Sequence, residues 1–291
     1  MHNNKLYNAK ENSICWEFLL NIPEFKKLSE TPQNSLWHKE GNAYIHTCKV
    51  AQGMLDYIAK SGDLRCTDYD YREILVLSAL LHDIGKPLTT VLGEDGLYHC
   101  KNHAIEGACV AEKILDRYVP GFQNEYRRAV VSLVRWHMHP LYILKSKDPK
   151  KSILRLANNL DCIDFDSLLL LKKCDCEGSV SEMDDNHKEI LEDVKNLYYE
   201  TCSYPSGTNV WILKLKDSDS CIYSPGHHPN GINSGYLTRG CLAMPVSIGF
   251  RTCIGLGFST SPVTKIIDKN HFETKNSVYK ITTEFLFGSK S

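Results

Sequence analysis

No charge sign dominates this chain of 291 residues: 34 Lys and Arg stand against 35 Asp and Glu, a formal net charge of −1. A balance this close leaves no global field to draw the protein onto long nucleic acid, although a local basic patch needs no net charge. No apolar run approaches the length of a membrane-spanning helix. The opening MHNNKLYNAKEN is polar where a secretory leader would carry an apolar segment. The 12 cysteines lack the paired short spacings of a zinc ribbon, and the one close pair, Cys174 and Cys176, is too tight for a zinc knuckle. These absences predict reduced thiols, a cytoplasmic setting and no membrane partner. No G-x-x-x-x-G-K-[ST] phosphate loop, internal repeat or low-complexity tract occurs.

What is present is 42% hydrophobic content, enough for one large core or two smaller ones. The texture changes along the chain. From about Ile14 to Tyr199 apolar residues recur at helical spacing, which predicts helices over Ala43–Lys60, Tyr71–Leu81, Ala104–Tyr118, Glu125–Met138, Ser152–Leu160, Asp166–Glu177 and Asp184–Tyr199. Pro87, Pro120 and Pro140 each follow a helical stretch, as stop signals do. Up to Leu28 a short packing helix and a loop are expected. From Asn209 onward Gly, Pro, Ser and Thr punctuate the runs NVWILKL, GCLAMPVSIGF, SPVTKII and SVYKITTEFLF, which read as short antiparallel strands. The fold expected is therefore mainly α, with a helical domain over 1–200 and a small β-rich domain over 208–291. The break falls in TCSYPSG, Thr201 to Gly207.

Polar residues on apolar faces point toward chemistry. His46 shares a face with Val50 and Met54, and His82-Asp83 ends the stripe of Ile74, Leu77 and Leu81. His137 continues Tyr126, Val130 and Leu133, and Asp175 continues Leu168 and Leu171. A buried carboxylate is costly unless paired or coordinated. One such residue is commonly a satisfied core polar group; several converging from four helices favour a bound cation. In LLHDIGKP, His82 and Asp83 offer adjacent nitrogen and oxygen ligands, Gly85 permits a sharp turn and Lys86 adds a positive charge. A metal beside an ammonium suits phosphate, because it polarises the phosphoryl oxygen and acidifies bound water while lysine meets the developing charge.

The order His46, His82-Asp83, Asp175 resembles the HD-domain superfamily of metal-dependent phosphohydrolases, over roughly Trp37 to Gly178. WHKEGNAYIHT, LLHDIGKP, NHAIEG, VRWHMHP and LLKKCDCEG look like the HD domain appended to some bacterial CCA-adding tRNA nucleotidyltransferases, and equally like stand-alone or kinase-fused HD phosphatases. The resemblance implies a helical HD bundle and a divalent metal on His46, His82, Asp83 and Asp175. It implies that His103 and His137 either hold a second metal or, beside a single ion, bind phosphate. His139 competes with His137 for that role, and His38 either touches substrate or caps a turn. The ion is Mn, Ni, Co, Fe, Zn or Mg, in one or two copies. The nucleotidyltransferase head of CCA-adding enzymes has no counterpart ahead of the HD segment.

The expected reaction is hydrolysis of a nucleotide or RNA-end phosphomonoester or cyclic phosphodiester. Asp83 serves as ligand and proton acceptor, Lys86 offsets charge, and His103 and His137 complete the site. Hydrolysis of nucleoside triphosphates, alarmones or cyclic dinucleotides would use the same ligands, and a non-catalytic metal-binding interaction module is the reading from another class. In the β-rich part, Trp211, Tyr223, Tyr236, Phe250, Phe258 and Tyr279 either stack on bases or form core, with Arg239, Arg251 and Lys265 available to phosphates. His227-His228 lies in a Pro/Gly loop. The bland roles for this part are packing, partial cover of the site, or oligomerisation.

Overall fold

The computed structural model describes residues 4–179, 186–201, 209–219, 237–241, 246, 251–254, 258–268 and 270–283. The expectations placed on Tyr223, His227-His228, Tyr236 and Phe250 fall outside these. The chain divides into two compact units, Met1–Ser146 with Leu160–Val194, and Lys147–Asn159 with Lys195–Ser291. The change of texture placed a break near Thr201–Gly207. The compact units instead assign one helix at 149–159, and the last turns of another, to the β-bearing unit.

The first unit opens with a hairpin rather than a loop: β1 (Tyr7–Asn8) pairs with β2 (Ser13–Ile14). The reason is local. Asn8 Oδ1 accepts the amides of Lys10 and Glu11, and Asn12 takes a φ of 49°, so the chain reverses while Tyr7 and Ile14 bury. Two short helices follow, α1 (Trp16–Leu19) and α2 (Pro23–Ser29), the second opened by Pro23, whose missing N–H is no loss in a first turn.

α3 (Ala43–Lys60) begins where extended Asn42 accepts the Ile45 amide at 3.0 Å. Its buried residues Ala43, His46, Val50, Met54 and Ile58 step by three or four and make one face. α4 (Tyr69–Leu81), capped by Asp68 on the Asp70 amide, is buried at every position from Glu73 to Leu81. That explains its mixed pattern: a helix covered all round shows no polar face. After α4 come α5 (Lys86–Thr89) and a second hairpin, β3 (Thr90–Leu92) with β4 (Tyr98–Cys100). Pro87 thus starts a helix as well as following one.

α6 (His103–Tyr118) and α7 (Asn124–Trp136) complete the front of the bundle. α8 (Pro149–Asn159) belongs to the second unit, and α9 (Phe165–Gly178) returns to the first, with Asp164 accepting the Ser167 amide at 2.7 Å. α10 (Asn186–Thr201) contributes its first half to the same unit. Its expected start at Asp184 lies outside the described residues. α3 packs on α4 and α9, α4 also on α7 and α9, and α6 on α7. Those contacts bring together the faces that carry His46, His82, His137 and Asp175. Among the described residues no helix is long and apolar enough to cross a membrane.

The second unit carries an antiparallel sheet of β5 (Asn209–Asp217), β6 (Leu237–Cys241), β7 (Arg251–Ile254), β8 (Phe258–Asp268), β9 (His271–Thr274) and β10 (Ser277–Thr282), in the order β6-β5-β10-β9-β8-β7. Val210, Ile212, Val263, Phe272, Tyr279 and Ile281 form its core. Tyr279 faces Phe272 across the β9–β10 pairing, with ring centroids 5.2 Å apart and planes 21° from parallel. Tyr279 is therefore a core residue and not a base-stacking one: alternation along β10 turns it inward. Trp211 is half-buried and Lys265 exposed, while Arg239, Arg251 and Phe258 lie on β6, β7 and β8.

Candidate metal centre

Three histidines reach the centre of the first unit in the same way. His82 follows the last turn of α4, His137 the last turn of α7, and His103 opens α6. Each directs Nδ1 at the carbonyl oxygen three residues earlier: His82 to Ala79 at 2.8 Å, His103 to Cys100 at 2.8 Å, His137 to Val134 at 2.7 Å. An Nδ1–H donated to a carbonyl places the lone pair on Nε2, the tautomer a metal ligand needs. Both helix ends and side chains gain, because otherwise orphaned carbonyls find donors.

The Nε2 atoms gather on Asp83. Its Oδ2 lies 3.2 Å from His82 Nε2 and 3.6 Å from His46 Nε2, and its Oδ1 3.3 Å from His103 Nε2 and 3.9 Å from His137 Nε2. Asp83 thus joins two trios, His46–His82–Asp83 and Asp83–His103–His137. Asp175 joins the first, with Oδ1 at 2.9 Å from His46 Nε2 and 3.7 Å from His82 Nε2. His46 and His82, His103 and His137, each approach to 3.3 Å through Nε2. Lone pairs so placed repel unless a proton or a cation sits between them. Ligands at right angles around an ion with bonds near 2.1 Å stand about 3.0 Å apart, so these separations fit a coordination shell. The donor set of imidazole nitrogens and carboxylate oxygens fits a divalent transition metal or Mg.

The electrostatics agree. Burial alone would raise the Asp83 carboxyl, but His82, Lys86 and His103 outweigh it and hold the group well below the usual carboxylate range. Asp175 behaves likewise: burial is overcome by Lys172 and by its hydrogen bond to His46. Burial pushes His137 well below an ordinary imidazole, helped by His103 and His82, and pushes His103 down too. His46 moves the other way, because its hydrogen bonds to Asp175 and Glu40 overcome burial.

Around this cluster lies a cavity of ≈ 470 Å³, all within the first unit, reaching Asp83, Lys86, His103, Lys172 and Asp175 and walled in part by Trp37, Tyr98, Leu141 and Tyr142. Lys86 Nζ sits 2.6 Å from both Asp83 Oδ2 and Gln33 Oε1. His38 lines the cavity and turns Nδ1 to Glu40 Oε1 at 2.8 Å; the backbone turn there is closed by the Asn34 carbonyl, so His38 is not its cap. His139 does not come to the cluster. It packs edge-on against Trp136, at 4.6 Å between centroids, and is absent from the cavity wall, so His137 holds the inner position.

Sequence reasoning missed three residues. Glu40, its side chain fully buried, lies 3.0 Å from His46 Nδ1, a carboxylate behind a histidine of the cluster. Nothing in a loop's periodicity marks it. Gln33 was equally silent. Lys172, at 2.6 Å from Asp175 Oδ2, was legible, because residues three apart share a helix face. Two glycines set the spacing. A Cβ on Gly85 would collide with the His103 carbonyl and Gly107 amide, and one on Gly178 would lie 2.7 Å from Val50 Cγ2.

A bifunctional uridylyltransferase/uridylyl-removing enzyme of Bradyrhizobium sp. (strain BTAi1 / ATCC BAA-1182) is 27% identical to this chain over 157 residues, 53% of the chain and 15% of that enzyme. The chain thus spans a small fraction of that relative's length. No solved structure matches. The family model described as HD domain matches residues 43–163, which hold His46, His82, Asp83, Lys86, His103 and His137, with Asp175 just beyond. HD domains are in general metal-dependent phosphohydrolases. Residues 43–163 of this chain are an HD domain.

Proposed function

We propose that the protein hydrolyses a phosphoester of a nucleotide or an RNA end, either a phosphomonoester or a cyclic phosphodiester, using His46, His82, Asp83 and Asp175 to hold a first divalent ion and Asp83, His103 and His137 a second. The observation that carries the reading is the pair of trios meeting on one buried carboxylate, each with Nε2 lone pairs turned inward. A divalent ion bound there supplies Lewis acidity toward a phosphoryl oxygen and lowers the pKa of water.

The chain's own residues do the rest. Asp83, with one oxygen on each trio, would be a ligand to either ion, and the acidity imposed on it makes it a weak proton acceptor. The ligand role therefore comes before the proton-accepting one expected of it. Lys86 brings a buried ammonium to the cavity wall, held by Asp83 and Gln33, where it offsets negative charge on phosphate. His38 offers its second nitrogen on the wall, positioned by Glu40. Trp37, Tyr98 and Tyr142 supply aromatic surface for a base or another flat leaving group. The nucleotide preference also leans on the likeness to HD domains of CCA-adding enzymes. The uridylyl-removing function in the name of the Bradyrhizobium relative favours a nucleotidyl phosphodiester as the second reading.

The test is metal content by elemental analysis of the purified chain, followed by a panel of nucleoside monophosphates, 2′,3′-cyclic nucleotides, triphosphates and a chromogenic phosphodiester with added Mn or Co. Bound metal with turnover of one of the first two classes supports the reading. Bound metal with turnover of triphosphates alone moves the substrate class, and a chain that binds no metal and turns over nothing favours the interaction-module reading.

A further inference from the structure

Two buried lysines flank the cluster, and they are not equally satisfied. An ammonium has three protons to donate. Lys86 spends two on strong acceptors, Asp83 Oδ2 and Gln33 Oε1, both at 2.6 Å. Lys172 has one strong acceptor, Asp175 Oδ2 at 2.6 Å, and one weak one, the Met138 thioether sulfur at 3.6 Å. Its relative exposure is 5%, yet it stands in the cavity wall. Among the described residues no further acceptor lies within hydrogen-bond distance of its nitrogen. A buried ammonium with donors to spare, on the wall of a cavity that reaches the cluster, is built to receive an anion.

We propose that Lys172 binds a phosphoryl oxygen of the substrate from the Asp175 side, forming with Lys86 a two-lysine clamp across the metal centre. This rests on the phosphohydrolase reading above. Lys172 sits on α9 and Lys86 on α5, so a phosphate gripped by both is located in two directions while Asp83 and Asp175 remain ligands. The charge count favours such a substrate. Three buried carboxylates, Glu40, Asp83 and Asp175, face two buried ammoniums, so filling both trios with divalent ions leaves a surplus positive charge that a phosphate dianion reduces. Lys172 could otherwise do no more than orient Asp175, and the two roles separate by what is lost on mutation.

Inorganic phosphate binding to the metal-loaded protein, measured by titration calorimetry at matched metal content, tests this. Lys172→Met is expected to weaken phosphate binding roughly 10- to 100-fold, the size of a hydrogen bond to a charged group, while metal per chain stays as in wild type. Lys172→Gln is one atom shorter but keeps an N–H donor without the charge; it guards against a misfolded Met variant and should fall between. Lys86→Met, whose nitrogen is already committed, should lose less than Lys172→Met. Phosphate affinity within about twofold of wild type in both Lys172 variants would overturn the clamp. Loss of metal, with phosphate binding restored when excess metal is supplied, would overturn it in favour of Asp175 orientation. A wild-type protein that takes up no metal overturns the phosphohydrolase reading itself, a failure recognised before any variant is made.

Discussion

The two trios that meet on Asp83 are made of unlike materials. On one side stand His46, His82 and Asp175, with the Glu40 carboxylate behind His46 and Lys172 beside Asp175. On the other stand only His103 and His137, backed by the main-chain carbonyls of Cys100 and Val134. The first side has its own negative charge; the second borrows a share of Asp83. A neutral imidazole carries no net charge, so the second side offsets less of an ion's charge than the carboxylate-rich side does. The difference teaches that occupancy should be graded, with the carboxylate-rich side filling first and holding longer.

Asp83→Ala breaks the comparison at its hinge. Both trios lose a ligand, and metal content by elemental analysis and turnover should fall together to background. Asp83→Ala with full activity would sink the site assignment. His103→Ala sharpens the comparison instead: about one ion per chain should remain, with turnover reduced roughly 10²- to 10³-fold, the range for loss of one electrostatic contact to the transition state. His46→Ala should show the opposite order and strip the tighter ion first. Lys86→Ala is expected to slow turnover about 10²-fold with metal retained, read by steady-state kinetics alongside metal analysis. Glu40→Gln should weaken metal binding on the first side alone, by about 10- to 100-fold in a chelator competition, as removal of a carboxylate behind a histidine ligand does.

The smallest effect checks that the scaffold stands apart from the cluster. Asp63 caps a short turn and pairs with Arg65, and its hydrogen bond to the Arg65 side chain holds its carboxyl below the ordinary range despite partial burial. Asp63→Asn keeps a capping side chain but removes the charge opposite Arg65, and should lower stability by about 0.5 kcal/mol with metal content unchanged. A lowered folded pKa gives stability that is present at neutral pH and lost as pH falls through it. The Tm gap between wild type and variant should therefore close below about pH 4.

The inward face of each helix was legible before any coordinates, because a polar residue in an apolar stripe is conspicuous. His46, His82, Asp83, His137 and Asp175 announced themselves that way, and the HD resemblance added His103. His139 stayed a competitor to His137, since both follow α7 within three residues and only the turn into 139–142 sends one inward and the other onto Trp136. Glu40 and Gln33 come from an irregular segment, where no period connects sequence position to direction. The hairpin at Thr90–Cys100 escaped for the same reason: its strands are three residues each, too short to show alternation. In the second unit NVWILKL, SPVTKII and the start of SVYKITTEFLF were readable as strands from their β-branched and aromatic content, while most of GCLAMPVSIGF lies outside the described residues. The inward turn of Tyr279 depended on register, which adjacent residues do not reveal.

Gly85 and Gly178 act as the gauge blocks of this centre. Where Gly85 meets the start of α6, and where Gly178 meets Val50 on α3, main chain or its first atoms rest directly on a neighbour, so the gap between ligand-bearing elements is machined by backbone thickness. Side chains on the cavity wall can then vary while main chain keeps the two trios at a constant spacing.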